Sequence, residues 1–104
     1  MRVVALVVDL MDRSRISAAI AEVQFARGVE GAAGADVVIV DLARDPAAVA
    51  RVREVASAAR IVAFGPHVDD AGLAAARSAG ADAVLPRSRF FADPAAAVTG
   101  TANG

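Results

Sequence analysis

The chain has 104 residues, a net charge of −1, and no cysteine, tryptophan or tyrosine. That length suits one small domain and excludes two, and the missing cysteines exclude a disulfide framework, thiol catalysis and thiolate zinc sites. All 11 basic residues are arginine and 28 residues are alanine; this is the bias of a G+C-rich genome, and it removes any chemistry that needs a lysine ammonium.

The first run, "VVALVV" (3–8), is apolar at every position, as a strand covered on both faces must be. "DRSRISAAIA" then predicts a short helix capped by Asp12, with Ile16, Ala19 and Ile20 on one side. "EVQFAR" (22–27) alternates polar and apolar residues and suits a strand at a sheet edge. "GVEGAAGA" predicts one or two helical turns weakened by glycine, and lacks the setting of a phosphate loop. A second apolar run, "VVIV" (37–40), precedes "DPAAVARVREVASAAR", where Asp45 as cap and Pro46 at the first helical position open a helix. Its Val49, Val52, Val55, Ala56 and Ala59 make one inward face.

"IVAF" (61–64) is the next buried strand. After it, "DDAGLAAARSAG" starts a helix at Asp69 or Asp70, turns Leu73 and Ala76 inward, and ends at Gly80 as a left-handed cap. "AVL" (83–85) is the last strand, followed by Pro86, Arg87, Ser88 and Arg89. "DPAAAV" (93–98) repeats the Asp-Pro helix start, and the domain is expected to fill residues 1–99, with 100–104 a polar tail. Regular strand–helix alternation predicts an open, parallel, five-stranded sheet with helices on both faces. Right-handed crossovers and the edge-like second strand favour the flavodoxin-like order 2-1-3-4-5, in which chemistry sits beyond the carboxyl ends of the strands.

The residues at those ends carry a resemblance. "VVDLMDRSRI", "ADVVIVDLARDP" and "IVAFGPHVDDAGLAAARSAGADAVLPRSRF" together resemble the receiver domain of bacterial response regulators over nearly the whole chain. The resemblance implies that Asp41 holds the phosphoacceptor position and that Asp9 is one of the acids that bind magnesium. Four positions depart from the family pattern. The second acid after strand one is Leu10, the hydroxyl residue after strand four is Gly65, the lysine after strand five is Arg87, and the aromatic switch residue is Val84. Phosphoryl transfer to a carboxylate brings negative charge onto negative charge, so a site without hydroxyl and lysine is poorly equipped for it.

Arginine keeps the cation and grips a carboxylate with two parallel hydrogen bonds; Arg87 is therefore expected to bridge to Asp41 as a permanent ion pair, with Asp9 beside them. Asp9 and Asp41 remain weak candidate ligands for Mg²⁺, whereas Asp12 is expected to cap a helix. His67 reads as a solvated loop residue. The expected function is that of a pseudo-receiver, not an enzyme and without a cofactor, that binds a protein partner and is not regulated by aspartyl phosphorylation. By resemblance its contact face runs from about residue 73 to 91. On that face Arg77, Arg89, Phe90 and Phe91 are the candidate contacts, with a weak homodimer expected when the partner is absent. One alternative is a degenerate receiver phosphorylated on Asp41 with Mg²⁺. Another is a flavodoxin-like module binding a small molecule in the strand-end crevice. No basic stripe supports nucleic-acid binding, the apolar runs fall far short of the ~20 residues of a membrane span, and no signal peptide is visible, so a cytoplasmic location is expected.

Overall fold

A computed structural model describes residues 1–100; residues 101–104 of the expected polar tail lie outside the described residues. In chain order the elements are β1 (Val3–Leu6), α1 (Leu10–Ala19), β2 (Gln24–Phe25), a 3-10 turn (Val29–Ala32) and β3 (Val37–Asp41). Then follow α2 (Ala48–Val55), β4 (Arg60–Gly65), α3 (Asp70–Ser78), β5 (Ala83–Pro86), α4 (Arg87–Ala92) and α5 (Pro94–Thr99). The strands form one parallel sheet in the order β2-β1-β3-β4-β5. This is the predicted topology.

The uninterrupted apolar runs divide by alternation between two cores, because successive strand side chains point to opposite faces. Val3, Ala5, Val37, Ile39, Val62, Phe64 and Leu85 pack with Ile16 of α1, Phe90 of α4 and Ala97 and Val98 of α5. Val4, Val38, Val40, Ile61, Ala63 and Val84 pack with Ala32, with Val49 and Val52 of α2, and with Ala76 of α3. No helix among the described residues is long and apolar enough to cross a membrane.

Local differences from the sequence expectations have identifiable causes. Helix α1 begins one turn early because Asp9, not Asp12, is its cap: the Asp9 carboxylate accepts the Asp12 N–H at 2.9 Å. Ala19 is exposed, and Ile20 completes the buried face with Ile16. Asp45 and Pro46 make a turn, not the first turn of α2; the Asp45 carboxylate accepts the Ala47 N–H, and the helix starts at Ala48. Val55 at the end of that helix is exposed. Gly80 closes the loop after α3 with φ +113°, a conformation that only glycine adopts without strain. The polar run after β5 was not predicted as helix, yet residues from Arg87 form α4.

Candidate functional site

Asp41 is the last residue of β3, pairs in register with Phe64, and is almost fully buried. Its Oδ1 accepts the Ala43 N–H at 3.1 Å, so the side chain folds back on its own loop. Burial pushes the Asp41 carboxyl above its ordinary value; the Ala43 N–H, the nearby Arg87 charge and the Arg44 N–H pull the other way, and the Asp12 charge adds to the rise.

The expected Arg87–Asp41 bridge does not form. Arg87 grips Asp12 instead, with Nη2 to Oδ1 at 2.7 Å and Nη1 to Oδ2 at 3.1 Å. Asp12 lies in the first turn of α1, four residues before Ile16, and so faces inward along with it; only 4% of it is exposed. Arg87 approaches from the start of α4 over two aromatic rings, 5.0 Å from the Phe91 centroid and 5.5 Å from that of Phe64. The Asp12 hydrogen bonds raise the Arg87 pKa against the opposing effect of burial, and the charges of Asp12, Asp41 and Asp9 add to the rise. The cation that follows strand five is thus committed to the first helix, not to Asp41.

The other strand ends are equally committed. Asp9 is exposed and caps α1. Leu10, at the position of the second acid, is 78% exposed. A Cβ placed on Gly65 would come within 3.3 Å of side-chain atoms of both Leu42 and Leu73, so any side chain there would press on two leucines. A divalent cation needs converging, unengaged oxygens. Here both Asp12 oxygens hold Arg87, Asp9 Oδ1 holds a helix N–H and Asp41 Oδ1 holds a loop N–H. Among the described residues no three acidic or histidine side chains gather as a metal site. Asp12 is thereby withdrawn from any such site, which leaves Asp9 and Asp41 as the acids at the strand ends with an oxygen to offer.

Of the candidate contact face, Arg89 is exposed and Phe91 is half-buried. Arg77 is exposed and hydrogen-bonds the Val84 carbonyl at 3.3 Å. Phe90 is fully buried, which corrects its placement on the surface. The two phenylalanines follow helical and not strand geometry, so the first stacks on Phe64 at 4.8 Å while the second meets that ring edge-on at 5.2 Å. His67 is an exposed loop residue. The Asp12–Arg87 pair had one signal in the sequence: Asp12, Ile16 and Ile20 recur at a spacing of four, which puts the carboxylate on the buried stripe. On the other face of the sheet a cleft of about 280 Å³ reaches Asp41, with Arg27 and Arg44 at its rim.

No family model matches the chain, and no curated protein matches its sequence. Several solved structures match its fold. A response regulator protein from Burkholderia pseudomallei, solved with a phosphorylated aspartic acid, calcium ion and citrate, superposes with a TM-score of 0.77 at 17% identity. That match covers 93% of this chain, which spans only 65% of the Burkholderia protein. A response regulator from Thermotoga maritima matches with a TM-score of 0.70 at 17% identity, covering 83% of both chains. A putative CpaE2 pilus assembly protein from Sinorhizobium meliloti 1021 matches with a TM-score of 0.69 at 16% identity, covering 95% of this chain and 98% of its own. The parallel sheet in order 2-1-3-4-5, the acid closing β3 and these three likenesses together give the chain the flavodoxin-like fold of response-regulator receivers.

Proposed function

We propose that the chain is a pseudo-receiver: a receiver-fold signalling module that acts through contact with a protein partner and is neither an enzyme nor a target of regulated aspartyl phosphorylation. The observation that carries this reading is the Asp12–Arg87 pair. A receiver needs its strand-five cation free to meet an incoming phosphoryl group, whereas both Nη groups of Arg87 are held by a buried carboxylate. Releasing them would strand the Asp12 charge away from water, which is strongly unfavourable. The leucines packed at Gly65 and the capping role of Asp9 support the same reading. The fold neighbours include both a phosphorylated response regulator and a putative pilus assembly protein, so the fold does not choose between the readings; the strand-end residues favour the pseudo-receiver.

On this reading no Mg²⁺ or other cofactor is required, and a cytoplasmic location fits a module of this kind. The contact face is the surface of α3, β5 and α4, where Arg77, Arg89 and Phe91 remain accessible in part. Arginine and aromatic residues are the types that dominate interface energetics. Incubation with acetyl phosphate and Mg²⁺ followed by intact-mass analysis tests the proposal. The mass should stay unchanged; one added phosphoryl group per chain, absent from Asp41→Asn, would return the site to the working receivers. Sedimentation of a Phe91→Ser/Arg89→Glu variant against the parent chain tests the face. Weak self-association should be lost, and identical behaviour would move the interface elsewhere.

A further inference from the structure

The crossover from β2 to β3 is the thinnest in the molecule. It has one 3-10 turn of 4 residues, where α1, α2 and α3 have 10, 8 and 9. One turn cannot cover the carboxyl half of β1 and β3, and the cleft of about 280 Å³ opens there. Leu6, Val8, Val29, Val40 and Ala48 supply its apolar lining. Arg27 and Arg44 stand at its rim, both exposed. Among the described residues neither side chain has a hydrogen bond, salt bridge or ring partner, although most arginines of this chain are held by carbonyls or carboxylates. Two carboxylates also line the cleft, and both are already engaged. Asp45 is held by Arg51 and the Ala47 N–H, and Asp41 by the Ala43 N–H.

The geometry points to a binding site for a small organic anion with an apolar body, of which a medium-chain carboxylate is the simplest example. The chain of the ligand lies on the valine and leucine lining, and its head group meets the forks of Arg27 and Arg44, which match a carboxylate with paired hydrogen bonds. The volume lies just below the ~300–1,000 Å³ typical of drug-sized ligands, which selects a molecule of roughly ten non-hydrogen atoms. A bare phosphate would leave the apolar lining in water, and a nucleotide or flavin exceeds the space. The site does not depend on the pseudo-receiver reading, because it lies on the opposite side of the sheet from the Asp12–Arg87 pair.

Titration of the isotope-labelled protein with sodium octanoate, followed through its amide resonances, tests the site. Saturable shifts are expected at Val8, Val29, Arg44 and Ala48, with a dissociation constant on the order of 1 mM, as suits so few atoms. Octylamine, with the same tail and the opposite charge, should bind at least about fivefold more weakly, and so should octanoate to the Arg27→Glu/Arg44→Glu variant. Both substitutions are on the surface, so unchanged resonances elsewhere will show an intact fold. Equal binding of octylamine, or equal shifts from inorganic phosphate, would overturn the proposal. So would the absence of saturable shifts up to the solubility limit. Tighter binding of N-acetyl-dileucine than of octanoate would assign the cleft to a protein terminus and overturn the small-molecule reading.

Discussion

Removing Arg87 tests the central contact of the strand-end site. An exposed ion pair stabilises by about 0.2–1 kcal/mol, whereas deleting one member of a buried pair costs about 3–5 kcal/mol. The Asp12–Arg87 pair sits between those limits, since its side chains are 6% and 39% exposed respectively. We therefore expect a coupling of about 2 kcal/mol, solvent screening of Arg87 accounting for the reduction. Arg87→Ala also loses its stacking on Phe64 and Phe91, about 0.5–1 kcal/mol more, so the single variant should be destabilised by about 3 kcal/mol. Denaturant unfolding of Asp12→Ala, Arg87→Ala and the double variant separates the two contributions, because the ring contacts are lost equally with and without Asp12 and cancel in the cycle. Asp41→Asn in place of Asp12→Ala should show a much smaller coupling to Arg87. A coupling below about 0.5 kcal/mol for the Asp12 cycle, or a larger one for Asp41, would refute the assignment of Arg87 to α1.

Asp41→Asn alone should stabilise the protein at neutral pH. A carboxyl whose folded pKa is raised supports folding fully below its ordinary value of 3.8, and that support is lost as pH rises through the raised folded value; the gap between variant and parent should therefore open across that window and vanish in acid, read by thermal melts against pH. For Asp82 the sign is opposite. Burial opposes its ionisation but is outweighed by the Ile61 N–H at 2.8 Å and the Arg53 guanidinium at 2.9 Å, so Asp82→Ala should cost about 0.5–1 kcal/mol at neutral pH once solvent screening of this exposed carboxylate is counted, and the part that depends on its charge fades as pH falls from 3.8 through the lowered folded value. Introducing a hydroxyl with Gly65→Ser should lower Tm by about 5 °C, from about 1 kcal/mol of overpacking against Leu42 and Leu73, and the same substitution should cost clearly less in a Leu73→Ala background. Phe90→Ala should cost about 3–5 kcal/mol and Phe91→Ser clearly less, measured by denaturant melts; equal losses would contradict the burial of Phe90.

The sheet could be read from the sequence because its central strands are covered on both sides, and such strands advertise themselves as unbroken Val, Ile and Ala runs. What failed were features decided by competition between similar signals. Asp9 and Asp12 are both good helix caps three residues apart, and the chain resolved the choice by burying Asp12 on the stripe of Ile16. Asp-Pro opens α5 with Asp93 as its cap, yet the same dipeptide at residues 45–46 makes a turn, because the Asp45 carboxylate closes on the Ala47 N–H and pairs with Arg51. Helix α4 has no side-chain cap and only 6 residues, too few for a period to show. The partner of Arg87 lies 75 positions away along the chain. The strand-end resemblance pointed Arg87 to Asp41; the crossing of α1 over the sheet brought Asp12 within its reach instead.

Both borders of the sheet offer little to strand addition. Strand β2 has only the 2 residues Gln24–Phe25, too short an edge for a peptide to follow. At the opposite border β5 ends in Pro86, which has no N–H to give, and Arg77 occupies the Val84 carbonyl. An extended peptide therefore finds only a short or interrupted ladder on either side. A partner of this protein meets side chains on its faces before it meets free backbone, and two copies brought together at high concentration gain little by pairing sheet to sheet.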